Sequence, residues 1–342
     1  MKLGPVLVLG TLLATLLLER RRPLRNMRQD HLRRDVRNAS MALMTVSAIA
    51  LTEKPLVRTV QKKRWGLLPR LRLPSLVETA LAVLLLDYTL YIWHVLTHKV
   101  PLLWRLHRVH HSDLDLSAST ALRFHFVEMI VSAPWRAAQV ALIGVTPRQL
   151  SLWQTLTTMA ILFHHSNIRL PLALERALAR VIVTPRMHGI HHSIVERETD
   201  SNWGTIFSLP DYLHRTVRLN VPQQAIDIGI PAFRRAEEVR LGRLLRMPFG
   251  VQRPSWRLEG LGPKPERQEP LPSEGLKKSP PRRHVTPECF SRRVDCALRV
   301  PEHGLAVVAA GRSLDEADRR LRGEVERRAL AFAVAHDTLI GA

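Results

Sequence analysis

His94–His111 reads HVLTHKVPLLWRLHRVHH, and the rest of the chain is interpreted around it. His94 and His98 are four residues apart, and His107, His110 and His111 follow at spacings of three and one. Residues at i, i+3 and i+4 share one face of a helix, so each set presents its imidazoles in one direction. MHGIHHS repeats the H-x-x-H-H spacing further on, with His188, His191 and His192. These eight imidazoles are more than one zinc ion uses, since zinc takes four ligands and often three in a catalytic site. Two ions would use them all. Imidazole suits iron, zinc and copper alike, so the residues alone do not choose the metal. The plain alternative is a chance cluster of surface or core histidines, against which the repeated spacing argues.

In this order, H-x3-H, H-x2-H-H and a later H-x2-H-H, the chain resembles the fatty acid hydroxylase/sterol desaturase superfamily of membrane-bound di-iron oxygenases. The flanking words DYTLYIWH, LLWRLHRVHHSD, ALRFHFVE, LFHHSNIRLP and DSNWG fit it as well. The likeness covers roughly residues 1–220 and is specific to the superfamily, not to one substrate. It implies an all-α integral membrane bundle of about four spans with a cytoplasmic histidine-rich helical cap. It also implies two iron ions per chain, held by His94, His98, His107, His110, His111, His188, His191 and His192. His165, two before Asn167, matches a further family histidine and becomes a ninth ligand candidate; His164 is left without a role.

Composition agrees with a membrane protein. The 342 residues are 46% hydrophobic yet 24% charged, so apolar and polar residues must be segregated into blocks. Net charge is +21, and the segment before Val251 holds 34 basic against 17 acidic residues. Basic loops beside apolar segments favour anionic headgroups on the cytoplasmic side. No aromatic-basic platform or reader motif supports nucleic acid as the partner. Cys289 and Cys296 suggest neither a disulfide framework nor a zinc site.

Along the chain, Leu3–Leu18 is almost wholly apolar and ends at Glu19-Arg20-Arg21-Arg22. A cleaved signal peptide carries its positive charge before the apolar run, so this reads as a retained first span, though a short one. Asn38–Thr52 is a weaker stretch that spans or lies as a re-entrant or interfacial helix. Glu53–Pro74 interleaves basic residues with Leu, Val and Trp65, as an interfacial segment does. Its charge says cytoplasmic, whereas a simple count of spans places it outside. Ser75–Val95 is the clearest span and delivers His94 and His98 to its end. Phe126–Val145 and Gln149–Phe163 read as an apolar hairpin around Gly144-Val145-Thr146-Pro147.

Six polar residues are candidates for supporting a metal site. Asp87 lies two helical turns before His94, and an ionisable residue inside an apolar helix is costly and usually paired. It is expected to accept the second N–H of a ligating imidazole. Arg123, His125 and Glu128, spaced R-x-H-x-x-E, are either solvated charges at a helix start or, as the resemblance implies, supports of the site. The family often has Pro where Phe126 stands. Asn167 follows the hairpin, and Asn202 sits with Asp200, Trp203 and Gly204 in a loop after the last box. Asp211-Tyr212-Leu213-His214 matches the family's next word only in part, which weakens any role for His214.

The domain is expected to occupy residues 1–249. Residues 250–300, rich in Pro, Gly and charge, are expected to be a disordered linker. Residues 301–342 form a tail of unknown role with a short helix over Ser313–Phe332. The resemblance implies an O2-dependent hydroxylase or desaturase acting on a fatty acyl, sterol or related lipid chain. It takes electrons from an external reductase, ferredoxin or cytochrome, in a bacterial inner membrane with the metals facing the cytoplasm. Ligand boxes cannot separate hydroxylation from desaturation. A zinc-dependent membrane hydrolase is the first rival, but neither H-x-x-H-H carries the Glu of an H-E-x-x-H site. A non-catalytic metal-binding membrane protein is the second.

Overall fold

The computed structural model describes residues 3–256 apart from Arg64. Most of the expected linker, the Ser313–Phe332 helix and both cysteines lie outside the described residues. Among these, every regular element is helical, with isolated bridges in place of strands. Among the described residues, three helices are long and apolar enough to cross a membrane: α1 (Leu3–Arg21), α5 (Ser75–Lys99) and α7 (Phe126–Ile143). The 25 residues of α5 rise roughly 37 Å, more than a hydrocarbon layer of about 30 Å. Over its described residues the chain is all-helical, with helices fit to cross a membrane.

The second apolar stretch does not form a helix of its own. It is the end of α2 (His31–Ala48), which runs through a π-helical turn, Ile49–Glu53, into α3 (Lys54–Gln61). Arg34 and Asn38 on α2 are buried, so this helix turns a polar face inward. The short α4 (Leu68–Leu71) then leads to α5.

Pro74 precedes the first residue of α5, and Pro101 opens α6 (Pro101–His111). Between them Val100 is extended, at φ −90° and ψ 116°. That single break folds α6 back on α5, which pack together, so the two histidine sets of the opening stretch face each other. The Phe126 hairpin forms as its sequence suggests. Gly144 ends α7 at φ 79°, where a Cβ would come 2.0 Å from the Trp65 carbonyl, so only glycine fits. Thr146 and Gln149 cap α8 (Pro147–His165) reciprocally.

The core lies between these helices. Val83 and Leu86 of α5, Val140 and Ile143 of α7, and Trp153 of α8 form one buried cluster. Val8 and Leu12 of α1 meet Leu162 of α8 in another. α8 is thus the fourth member of the bundle, though more polar than the three candidate spans. The remaining elements, α9 (Leu172–Leu178), α10 (Pro185–His191), α11 (Glu196–Thr199), α12 (Leu209–Leu213) and α13 (Leu241–Arg246), are short. α10 packs on α8 and carries the last histidine box to the other two.

The boundary expected at residue 249 falls too early. Ser255 is buried, its Oγ accepts the Trp104 indole N–H at 2.9 Å, and Trp256 stacks on Trp104 at 5.8 Å between centroids. Composition could not show this, because one serine and one tryptophan in a Pro- and Arg-rich run hold the contact.

Candidate metal centre

The histidines converge as two sets of four. His94, His98, His111 and His191 form the first, and His110, His165, His188 and His192 the second. Within each set the potential ligand nitrogens lie within 4.8 Å of one another. Each set mixes residues from three elements or their ends: α5, α6 and α10 for the first, α6, α8 and α10 for the second. His110 and His111 point into different sets, as adjacent helical positions about 100° apart must.

His107 belongs to neither set by this criterion, but its ring lies 4.9 Å from His98, 5.0 Å from His111 and 5.3 Å from both His94 and His110. Its Nδ1 donates to Glu128 Oε1 at 2.7 Å, and its Nε2 is buried without a partner. His164 is also buried there, its ring 4.1 Å from His188. The box spacing gave no signal for His164.

The donor set fits cations. Nδ1 of His94 donates to the Trp203 carbonyl, that of His191 to Ser201 and that of His164 to Thr205, at 2.8, 2.8 and 3.1 Å. With those protons on Nδ1, the Nε2 lone pairs remain. Nε2 of His98, His111 and His191 is buried and unpartnered. In the second set, His188 Nε2 lies 3.0 Å from His165 Nε2 and 3.1 Å from His192 Nε2, and His110 Nε2 is 3.0 Å from His165 Nε2. One proton on His188 cannot be aimed at both neighbours. Ligand nitrogens each about 2 Å from a shared ion would lie roughly 3 Å apart.

Burial and the neighbouring imidazoles push His110, His111, His188, His191 and His192 well below the usual histidine range. That shift favours the neutral imidazole, which is the form a metal binds. Aromatic rings close the surround: Phe124 stacks on His110 at 4.4 Å, and Trp104 and Trp203 lie 4.8 and 4.6 Å from His98.

The carbonyls of Ser201, Trp203 and Thr205, all on one loop, each reach one histidine. Two carboxylates hold that segment. Asp211 accepts the N–H groups of Trp203 and Gly204, both at 2.8 Å, and Asp87 those of Ile206 and Phe207, both at 3.1 Å. The expectation that Asp87 accepts an imidazole N–H is therefore corrected: it holds backbone, one step removed from the rings. Asp211 went unnoticed in the sequence, where only the partial match around Asp211-Tyr212 pointed to it.

Among the described residues, Glu128 alone of the six supporting candidates touches one of these imidazoles. Arg123 is fully buried and donates to the Val109 carbonyl and Ser112 Oγ, bracing the end of α6. His125 caps α7 through the Val127 N–H and contacts the Leu245 carbonyl at 3.3 Å, away from the boxes. Asn167 exchanges hydrogen bonds with the Arg25 backbone at 2.9 and 2.7 Å. Asn202, at φ 54°, spans the Met187 and Arg218 carbonyls and accepts the Arg218 N–H. His214 pairs with Tyr88 at the surface.

Asp113, next to the second box, is the largest feature the sequence did not disclose. Burial would push its carboxyl up, but Arg34, Arg123 and Arg37 hold it well below the usual carboxylate range. Arg34 Nε and Arg37 Nη2 lie 3.1 and 3.0 Å from its oxygens. This cluster ties α2 to the end of α6.

Residues 79–216 match the family model described as fatty acid hydroxylase. The chain is 30% identical over 158 residues to the ornithine lipid hydroxylase OlsE of Rhizobium tropici, covering 46% of each chain. It is 26% identical over 160 residues to cholesterol 25-hydroxylase of Mus musculus, covering 45% of this chain and 52% of that one. With alkylglycerol monooxygenase of Homo sapiens it shares 24% over 135 residues, covering 40% of this chain and 29% of the other. The chain spans about half the length, or less, of these curated relatives. No solved structure matches it. The segment that carries every histidine of both quartets, residues 79–216, belongs to the fatty acid hydroxylase family.

Proposed function

We propose that this protein is an oxidoreductase that hydroxylates, or desaturates, the hydrocarbon chain of a membrane lipid, using O2 and two iron ions. The observation that carries the reading is the pair of buried four-histidine sets at the end of apolar helices. His94, His98, His111 and His191 would hold one ion and His110, His165, His188 and His192 the other, with His107 beside the first. Bound there, iron supplies the activation of O2 that breaking an unactivated C–H bond requires.

The chain's own contribution is order and dryness. Glu128 orients His107, the carbonyls of Ser201 and Trp203 orient His191 and His94, and Trp104, Phe124 and Trp203 exclude water from the imidazoles. Residues so held present the reacting centre to one carbon of a chain at fixed distance. The relatives' names, which include hydroxylases and a monooxygenase, favour hydroxylation over desaturation. Electrons come from a separate reductase, ferredoxin or cytochrome. The basic end of α1 lies beside the segment that follows His165, so positive charge and histidines share one side. We place that side in the cytoplasm of a bacterial inner membrane.

A zinc hydrolase is disfavoured because Glu128, the carboxylate that touches a box histidine, is engaged by His107, and Asp113 is engaged by arginines. The test compares total lipid extracts from cells expressing the active chain and its His188→Ala, His191→Ala variant. A lipid heavier by one oxygen, or lighter by two hydrogens, is expected only with the active chain. Identical extracts with an iron-loaded protein would leave a metal-binding role without catalysis.

A further inference from the structure

A cleft of about 460 Å³ lies where α1 ends, lined by Arg21, Arg22, Pro23, Arg169, Leu170 and Pro171. Its two walls are locked together. The Arg169 N–H donates to the Arg22 carbonyl at 2.7 Å, the Leu24 N–H donates to the Asn167 carbonyl at 2.8 Å, and Pro23 faces Ile168 in an antiparallel bridge. These bonds fix the backbone from which Arg22 and Arg169, distant in sequence, reach one opening.

None of the three guanidinium groups has a carboxylate or hydrogen-bonding side chain as partner among the described residues. The nearest acid along the chain, Glu19, is turned inward and accepts the N–H groups of Ala118 and Asn167, both at 3.0 Å. Three like charges gathered at one cleft repel one another unless an anion joins them. Guanidinium matches phosphate oxygens in a planar, two-point fashion, and several around one cleft raise that preference.

The surroundings choose among anions. Leu17 and Leu18, in the last apolar turns of α1, are 44% and 45% exposed, and Leu172 and Leu174, just beyond Pro171, are each 49% exposed. Charge and bare apolar surface therefore adjoin at the point where α1 leaves the apolar layer. A free phosphate would meet only the arginines, whereas a phospholipid offers an anion and two acyl chains to both surfaces. We propose that this cleft binds the headgroup of an anionic phospholipid. It stands apart from the oxygenase reading, since no metal is involved. The bound lipid would pin the Arg22–Leu24 and Asn167–Arg169 pair, which begins two residues after His165, at headgroup depth.

The test uses the full chain in nanodiscs of equal parts phosphatidylglycerol and phosphatidylcholine, followed by gentle detergent extraction and native mass spectrometry of retained lipid. The wild type should retain phosphatidylglycerol preferentially. Arg21→Gln, Arg22→Gln and Arg169→Gln together should reduce that preference more than about tenfold, and Arg169→Gln alone by about fivefold. The corresponding triple Lys variant should keep most of it, and Gln at Arg240, Arg243 and Arg246 should leave it unchanged. Should the triple Gln variant misfold, the single variant carries the comparison. Unchanged preference in the cleft variants, or an equal loss in the Arg240, Arg243 and Arg246 control, would overturn the proposal. So would displacement of the lipid by millimolar inorganic phosphate.

Discussion

At the scale of single residues, two carboxylates that look alike in the sequence do different work. Glu128 meets an imidazole directly at His107, whereas Asp87 reaches the site only through the backbone of Ile206 and Phe207. Glu128→Gln keeps the size but weakens the acceptor, so bound iron should remain while turnover falls roughly ten- to a hundredfold. Asp87→Asn acts through the Ser201–Thr205 carbonyls, so it should loosen iron binding and increase the proteolytic sensitivity of that loop. Iron analysis beside limited proteolysis separates the two. An Asp87→Asn protein with wild-type iron and an intact loop would return Asp87 to a bystander. The box histidines were legible because spacing on a helix dictates direction. The partner of each ring was not, because Glu128 is 21 residues from His107 and Trp203 is 109 from His94. Only the packing of α6 on α7, and of the loop around Trp203 on α5, brings them together.

At the scale of elements, α5, α7 and α8 were readable from apolar blocks, prolines and Gly144, whereas α2 was not. Its apolar half suggested a membrane segment, but its buried face is set by Arg34 and Asn38, whose partners Asp113 and Ser119 come 79 and 81 residues later. Removing one member of a buried charge cluster leaves the others uncompensated. Arg34→Met should therefore destabilise the protein by about 3 kcal/mol or more, seen as a lowered unfolding midpoint in detergent. A midpoint within a degree of wild type would show that Arg37 and Arg123 suffice for Asp113. The segment after Gly250 is the converse case, where composition predicted no packing and Trp256 packs on Trp104. A chain ending after Trp256 should keep its iron during chelator challenge. One ending after Gly250 loses the Ser255 bond and the tryptophan stack beside His98, so it should release iron several-fold faster. Equal release rates would place the true edge of the domain at Gly250.

At the scale of the whole molecule, helices apolar enough to cross a membrane hold two clusters of mostly buried histidines. The family pattern was legible across the boxes because metal ligation constrains spacing. The split into two quartets was not, since nothing in H-x-x-H-H says that His110 and His111 serve different sets. That split is the central claim, and it has a direct measurement. Apoprotein purified in mild detergent and titrated anaerobically with ferrous iron should bind about two ions per chain. His188→Ala, which touches only the second quartet, should bind about one, and so should His98→Ala, which touches only the first. A wild-type stoichiometry of one, unchanged by either substitution, would contradict the account.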